Sequence, residues 1–167
     1  MIVTIDGPAS SGKGTVARLL ANHLDAFHLD SGLLYRAIGY YIEEKNIDIL
    51  DEDPDLYTDF LNHFHMEYNF CTQKSRIMEG AKEITTLLRQ QSIGKKSSQV
   101  AQIPLVRSLV TQKIRVLERR FASIVADGRD MGSIVFPHAP FHFYLDAPLS
   151  IRSQRRYAET IQKQPAR

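Results

Sequence analysis

A short apolar run, Met1 to Ile5, passes through Asp6 straight into GPASSGKGTV, residues 7 to 16. No other part of the chain limits the fold as much. Gly7, Gly12 and Lys13 fit a phosphate loop, in which Gly, four residues, Gly and Lys are followed by Ser or Thr. The departure is at the next position, where Gly14 stands and the hydroxyl arrives one residue late, at Thr15. Such a loop requires a strand before it and a helix after it. Both are legible: Val16, Leu19, Leu20 and Leu24 recur at helical spacing from Lys13 to about His23. Glycines let backbone N–H groups turn inward, the helix N-terminus adds positive potential, and Lys13 supplies a full charge. That combination suits the β and γ phosphates of a nucleoside triphosphate, without specifying a reaction.

The pattern continues as strand and helix in turn. Ala26 to Leu29 reads as a second strand, and Ser31 as the N-cap of a helix bearing Leu33, Leu34, Ala37, Ile38, Tyr41 and Ile42 on one face. The middle is different. Asp48 to Asp59 is acidic and contains Pro54. HFHMEYNF and SRIMEG read as extended segments around a turn at Thr72-Gln73-Lys74, and residues 81 to 100 are polar and mixed. Residues 58–100 are therefore expected to form an insert outside the main sheet. Pro104 then opens a helix striped by Leu105, Leu109, Val110, Ile114, Leu117 and Phe121. Ser123 to Ala126 and Phe141 to Leu145 read as further strands, and Leu149 opens a last helix. This order predicts an α/β fold with a parallel sheet flanked by helices.

Composition narrows the function. The net charge is +2, too small for a general nucleic-acid field. Residues 151–167 hold five basic residues (Arg152, Arg155, Arg156, Lys163, Arg167) against Glu159, a local +4 that leaves about −2 elsewhere. No aromatic stacking stripe accompanies that basic segment. The one cysteine, Cys71, rules out an internal disulfide and is expected to be a partly buried, inert thiol. His63 and His65 have no acidic or Cys set beside them with metal-ligand spacing. No apolar run approaches the roughly 18 residues of a membrane span, and the start lacks the features of a signal peptide. A cytoplasmic protein without nucleic-acid or membrane partners is expected.

Three further segments place polar residues where strands should end or helices begin: LDSGLLYR (29–36), SQVA followed by PLVR (98–107), and DGRDMG (127–132). In open α/β sheets ligands bind beyond the carboxyl ends of strands, so these segments should meet the loop at one cleft. In this order, with a final RRY-type basic helix, they closely resemble bacterial cytidylate kinase from residue 2 to about 157. The resemblance implies a P-loop nucleoside monophosphate kinase fold, with a core at 1–57 and 101–149. It makes 58–100 the monophosphate-binding insert and 150–167 the start of a lid. It implies transfer of the γ-phosphate of ATP to CMP or dCMP, with Mg²⁺ entering on ATP, by a chain acting as a monomer.

It also implies residue roles. Gly7, Pro8, Ala9, Ser10, Ser11, Gly12, Lys13, Gly14 and Thr15 would hold ATP, with Arg152 and Arg156 above it. Arg36 and Arg129 would bind the CMP phosphate, with Ser31 close to it, and Ser98, Arg107 and Asp130 would read cytosine. Lys13, Arg129 and Arg155 would stabilise the migrating phosphoryl group. Asp130 would accept from the exocyclic amine while Arg107 donates to the ring acceptors, which disfavours uracil. No protein metal ligand is assigned, since Gly14 has no oxygen; ATP and water would hold most of the ion, with Asp127 as a candidate. Gly14 reads as a tolerated variant, with Thr15 near the phosphates.

Members of that family continue beyond the point at which this sequence stops. The final strand of the sheet is therefore expected to be absent, and with it a segment contacting the CMP ribose. Two alternatives stand beside the leading reading: a non-catalytic nucleotide-binding remnant, and a related small P-loop kinase with another acceptor such as UMP, AMP or shikimate. The chain is expected to turn over CMP slowly. A coupled assay of CMP-dependent ADP release checks this, and turnover equal to a full-length relative's would refute it.

Overall fold

The computed structural model describes residues 1–48, 58–59, 62–69, 71–72 and 74–162. Pro54, Gln73, Lys163 and Arg167 lie outside them, and so does most of the acidic stretch.

The main sheet has four parallel strands: β1 (Ile2–Asp6), β2 (Phe27–Asp30), β6 (Ile124–Gly128) and β7 (Phe141–Tyr144), in the order β2-β6-β1-β7. β1 is buried along its whole length, as a parallel strand covered on both faces should be. Alternation sends Val3, Ile5 and Val125 to one face and Ile2, Phe27, Leu29, Ile124 and Ala126 to the other. Helix α1 (Lys13–His23) covers the first face. The second packs on α2 (Ser31–Glu44) and α4 (Pro104–Glu118). Register aligns Asp30 with Asp127, and Asp6 with both Gly128 and Tyr144, so the strands finish nearly level.

A separate antiparallel sheet holds β3 (Phe64–Asn69), β4 (Lys74–Glu79) and the two-residue β5 (Lys82–Glu83). Its inner side chains Phe64, Met66 and Ile77 join the same core as α2 and α4. Phe27 ties the layers together, stacking on Phe121 at 4.1 Å between ring centroids and meeting Tyr68 edge-on at 5.4 Å. Glu67 and Arg76, cross-strand partners, pair on the outer side at 2.7 Å. His63 and His65 each bond to a glutamate, Glu79 and Glu67.

Several local expectations need correcting. Val16 and Leu19 are exposed (44% and 56%), and the buried face of α1 is Ala17 and Ala21, with Leu20 and Leu24 packed beside them. Small residues let the helix lie close to the sheet, so the bulkiest apolar positions do not mark the contact. Ser31 is the first residue of α2 and Asp30 holds the N-cap position. Cys71 is exposed, because the turn joining β3 to β4 projects from the core. The polar segment after β5 contains a helix, α3 (Gln91–Val100), which buries only Ile93 and Val100. The last helix, α5 (Leu149–Gln162), starts where Leu149 suggests. Among the described residues, no helix is long and apolar enough to cross a membrane.

Helices α2 and α3 touch at Gly39. A Cβ there would lie 2.9 Å from the Ser97 nitrogen and 3.2 Å from the Ile93 oxygen. Gly39→Val is expected to force the helices apart and cost about 1–3 kcal/mol, as overpacking does. A thermal melt checks this, and an unchanged Tm would refute it.

Candidate functional site

The loop is shaped by close approach. Gly7 has φ 154° and Gly12 φ 99°. A Cβ on Gly7 would sit 2.1 Å from the carbonyl oxygen of Leu145, so no larger residue fits without moving the strand. Ser10 also adopts positive φ, 59°. The Ser11 hydroxyl is buried and has no partner among the described residues. Lys13 lies partly buried at the N-terminus of α1 and donates to the Pro8 carbonyl at 3.2 Å. Burial lowers its pKa, and the charge of Asp127 opposes that shift.

Above the strand ends lies a cleft of about 1020 Å³. It is lined by Ala9, Ser10 and Lys13 from the loop, Ser31 and Arg36 from α2, and Ser98 and Arg107 from α3 and α4. Arg129 and Asp130 from the turn after β6, with Arg152 and Arg156 from α5, complete it. The segments the sequence singled out therefore converge. Gly7, Pro8, Ser11, Gly12, Gly14, Thr15 and Arg155 do not line this cleft. Thr15 is exposed on the first turn of α1. Arg155 donates to the Ser11 and Ser10 carbonyls at 2.8 and 3.3 Å, behind the loop.

Cation density is high in the cleft. Arg36 donates to the Leu88 carbonyl at 2.8 Å, and Gly94 leaves room for its guanidinium. Burial lowers the Arg36 pKa first and the nearby Arg156 charge second. Arg129 is exposed and makes no hydrogen bond or ion pair among the described residues. Arg107 donates to Asp130 Oδ2 and, at 3.2 Å, to the Ala101 carbonyl. Arg107 and Asp130 thus form an ion pair with each other. The Ser98 hydroxyl donates to the Gly94 carbonyl at 3.0 Å, and that of Ser31 to the Asp127 carbonyl at 2.9 Å.

Three acidic or basic groups were not assigned from sequence. Tyr35, one residue before Arg36, lines the same cleft, and burial raises its pKa. Asp30 and His28 lie on β2 beside Asp127. Only Asp30 had a signal, its place at a strand end next to the helix start. Its carboxyl is pushed up to about 6, by burial first and the Asp127 charge second.

A cytidylate kinase family model matches residues 3–166. The chain belongs to the cytidylate kinase family. It is similar to cytidylate kinases of Pseudomonas fluorescens Pf0-1 and Pseudomonas syringae pv. tomato DC3000, each 39% identical over 160 and 162 residues. A third, from Stutzerimonas stutzeri A1501, is 37% identical over 161 residues. Each match covers 95% of this chain and 69% of the relative. The fold agrees with the P-loop nucleoside monophosphate kinase architecture, and the activity of the family is phosphorylation of CMP or dCMP by ATP.

The raised Asp30 carboxyl gives this kinase a pH signature. The unfolded chain releases that proton near 3.8 and the folded chain near 6. The folded state thus holds more protons in between, and stability falls as pH rises through that window. Asp30→Asn is expected to melt higher than wild type at pH 7.5 and about equally near pH 4. Thermal melts at both values check this, and an equal gap at both pH values would refute the assignment.

Proposed function

We propose that this cytidylate kinase binds ATP over the loop 7–15 and CMP or dCMP between α2, α3 and the turn after β6. The convergence of Lys13, Arg36, Arg129 and the Arg107–Asp130 pair on one cleft carries the reading. Both reactants are anions, so the protein's task is alignment and charge neutralisation rather than covalent catalysis. An oxygen of the CMP phosphate attacks the γ-phosphorus, that P–O bond forms, and the bond to the β,γ-bridging oxygen breaks to release ADP. Lys13 is placed to leave the Pro8 carbonyl for phosphate oxygens. Arg36 and Arg129 hold the acceptor phosphate, since a guanidinium fork can donate two bonds at once. Arg152 and Arg156 on α5 face the donor phosphates, while Arg155 supports the loop through the Ser10 and Ser11 carbonyls.

Residues 58–100 serve as the monophosphate side of the cleft, with the core at 1–57 and 101–149 and the lid starting at 150. Ser31 keeps a lone pair for the acceptor phosphate. Asp130 accepts from cytosine N4 through its uncommitted oxygen, Arg107 donates to the ring acceptors, and Ser98 lies beside them. Mg²⁺ takes few protein ligands when it arrives on a nucleotide, commonly one or two carboxylates besides phosphates and water. The residues present fit that demand. Among the described residues Asp127 Oδ2 accepts no side-chain hydrogen bond, and it faces the start of α1, where a Cβ on Gly14 would lie 3.5 Å from it. Asp127 would hold the ion, which supplies charge neutralisation between the phosphates. A single thiol and the absence of any possible disulfide suit a cytoplasmic enzyme, here a monomer.

The acceptor assignment is tested by ADP release with CMP, dCMP, UMP and AMP. Asp130→Ala is expected to lower the CMP over UMP preference in kcat/KM by about tenfold or more. An unchanged preference would refute the role of Asp130, and AMP turnover above CMP would refute the acceptor class.

A further inference from the structure

His28 sits two residues before the end of β2, in a strand whose neighbours Phe27 and Leu29 are fully buried. It is 7% exposed, and Asp127 is 5% exposed. His28 Nε2 lies 2.7 Å from Asp127 Oδ1. An ionised carboxylate can only accept, so Nε2 carries the proton. A buried hydrogen bond between two polar side chains adds little to the stability of a strand, because an apolar pair of the same shape can serve about as well. The geometry around it says what else it does. Fixing Oδ1 leaves Oδ2 turned to the other side, toward the first turn of α1 beside Gly14. Two charged groups of the site act on that carboxylate: Asp30 from β2, its register partner, and Lys13 from α1.

We propose that His28 is a positioning residue of the kinase: its Nε2–H holds Asp127 so that the second carboxylate oxygen faces the phosphate loop at the position Gly14 leaves open. This rests on the reading that Asp127 serves Mg²⁺–ATP. It accounts for the departure at Gly14 in the loop. The oxygen that a Ser or Thr would bring from α1 is brought instead from β6, and its direction is set from β2. A ligating carboxylate held by a second residue is a common device, and loss of such a partner typically weakens metal affinity about 10–100-fold.

The test is calorimetry of ATP binding with and without Mg²⁺, on the full chain and three variants, with steady-state kinetics beside it. In His28→Phe the gain in ATP affinity on adding Mg²⁺ is expected to shrink about tenfold, while affinity for metal-free ATP stays unchanged. kcat should fall and KM for CMP should hold. His28→Gln, whose Nε2 reaches a similar position, should restore at least half of the gain. Asp127→Asn should abolish it. If Asp127→Asn loses the gain and His28→Phe keeps it, the role of His28 is overturned. If Asp127→Asn keeps the gain, the reading of Asp127 fails and the role of His28 fails with it. A measurement on the unaltered chain stands apart from any folding defect. The His28 ring nitrogens should show the Nε2-protonated form by ¹⁵N NMR, and a neutral ring protonated at Nδ1 would overturn the proposal.

Discussion

One carboxylate joins the two halves of the cleft. Asp6 ends β1, and its two oxygens accept from the backbone N–H groups of Met131 at 2.9 Å and Gly132 at 2.8 Å. Bonds to a charged acceptor are stronger than neutral ones, and these are largely shielded from water. Asp6 is also the residue from which the phosphate loop departs. The turn carrying Arg129 and Asp130 is therefore fixed to the same strand end as the loop. The phosphate loop and that turn share one anchor, so their spacing is set by a single bonded unit rather than by packing over a distance.

Gathering that many charges has a cost. Lys13 and Arg36 both have lowered pKa values because burial penalises their charge, and neighbouring cations add to the penalty. Asp30 is pushed the other way by the same burial and by Asp127. Hydrogen bonds within the protein partly offset this. Arg36 rests on Leu88, Lys13 on Pro8, Arg107 on Asp130 and Arg155 on the loop carbonyls. The cleft gathers cations at a cost to stability, as expected where stability is spent on function.

Much of this was legible in the chain because local chemistry and global fold agree where the ligand binds. Gly7, Gly12 and Lys13 fit no other use so well, and the DSG and DGRD segments fall at strand ends where an α/β sheet presents its ligands. What escaped reading has physical reasons. Helix α3 buries two residues and carries Gly94 within it, so it has almost no periodic signal. The contact face of α1 does not follow its bulky apolar residues, because close packing on the sheet needs small ones, Ala17 and Ala21. The bond between Arg107 and Asp130 joins a helix start to a turn after a strand, and nothing in either segment announces it. His28 was unremarkable in sequence, since its meaning depends on a partner 99 positions away.

The small antiparallel sheet is tied into the molecule at several points. The Ser75 hydroxyl donates to the carbonyl of His28 on the outer edge of β2, and Tyr68 abuts Phe27. Arg36 reaches from α2 to Leu88 in the turn that follows this sheet. These ties leave that wall of the cleft little freedom to swing as an independent flap. Helix α5, by contrast, is exposed along most of its described length and meets the loop chiefly through Arg155. Of the elements around the cleft, α5 is thus the one least held by the rest of the described residues.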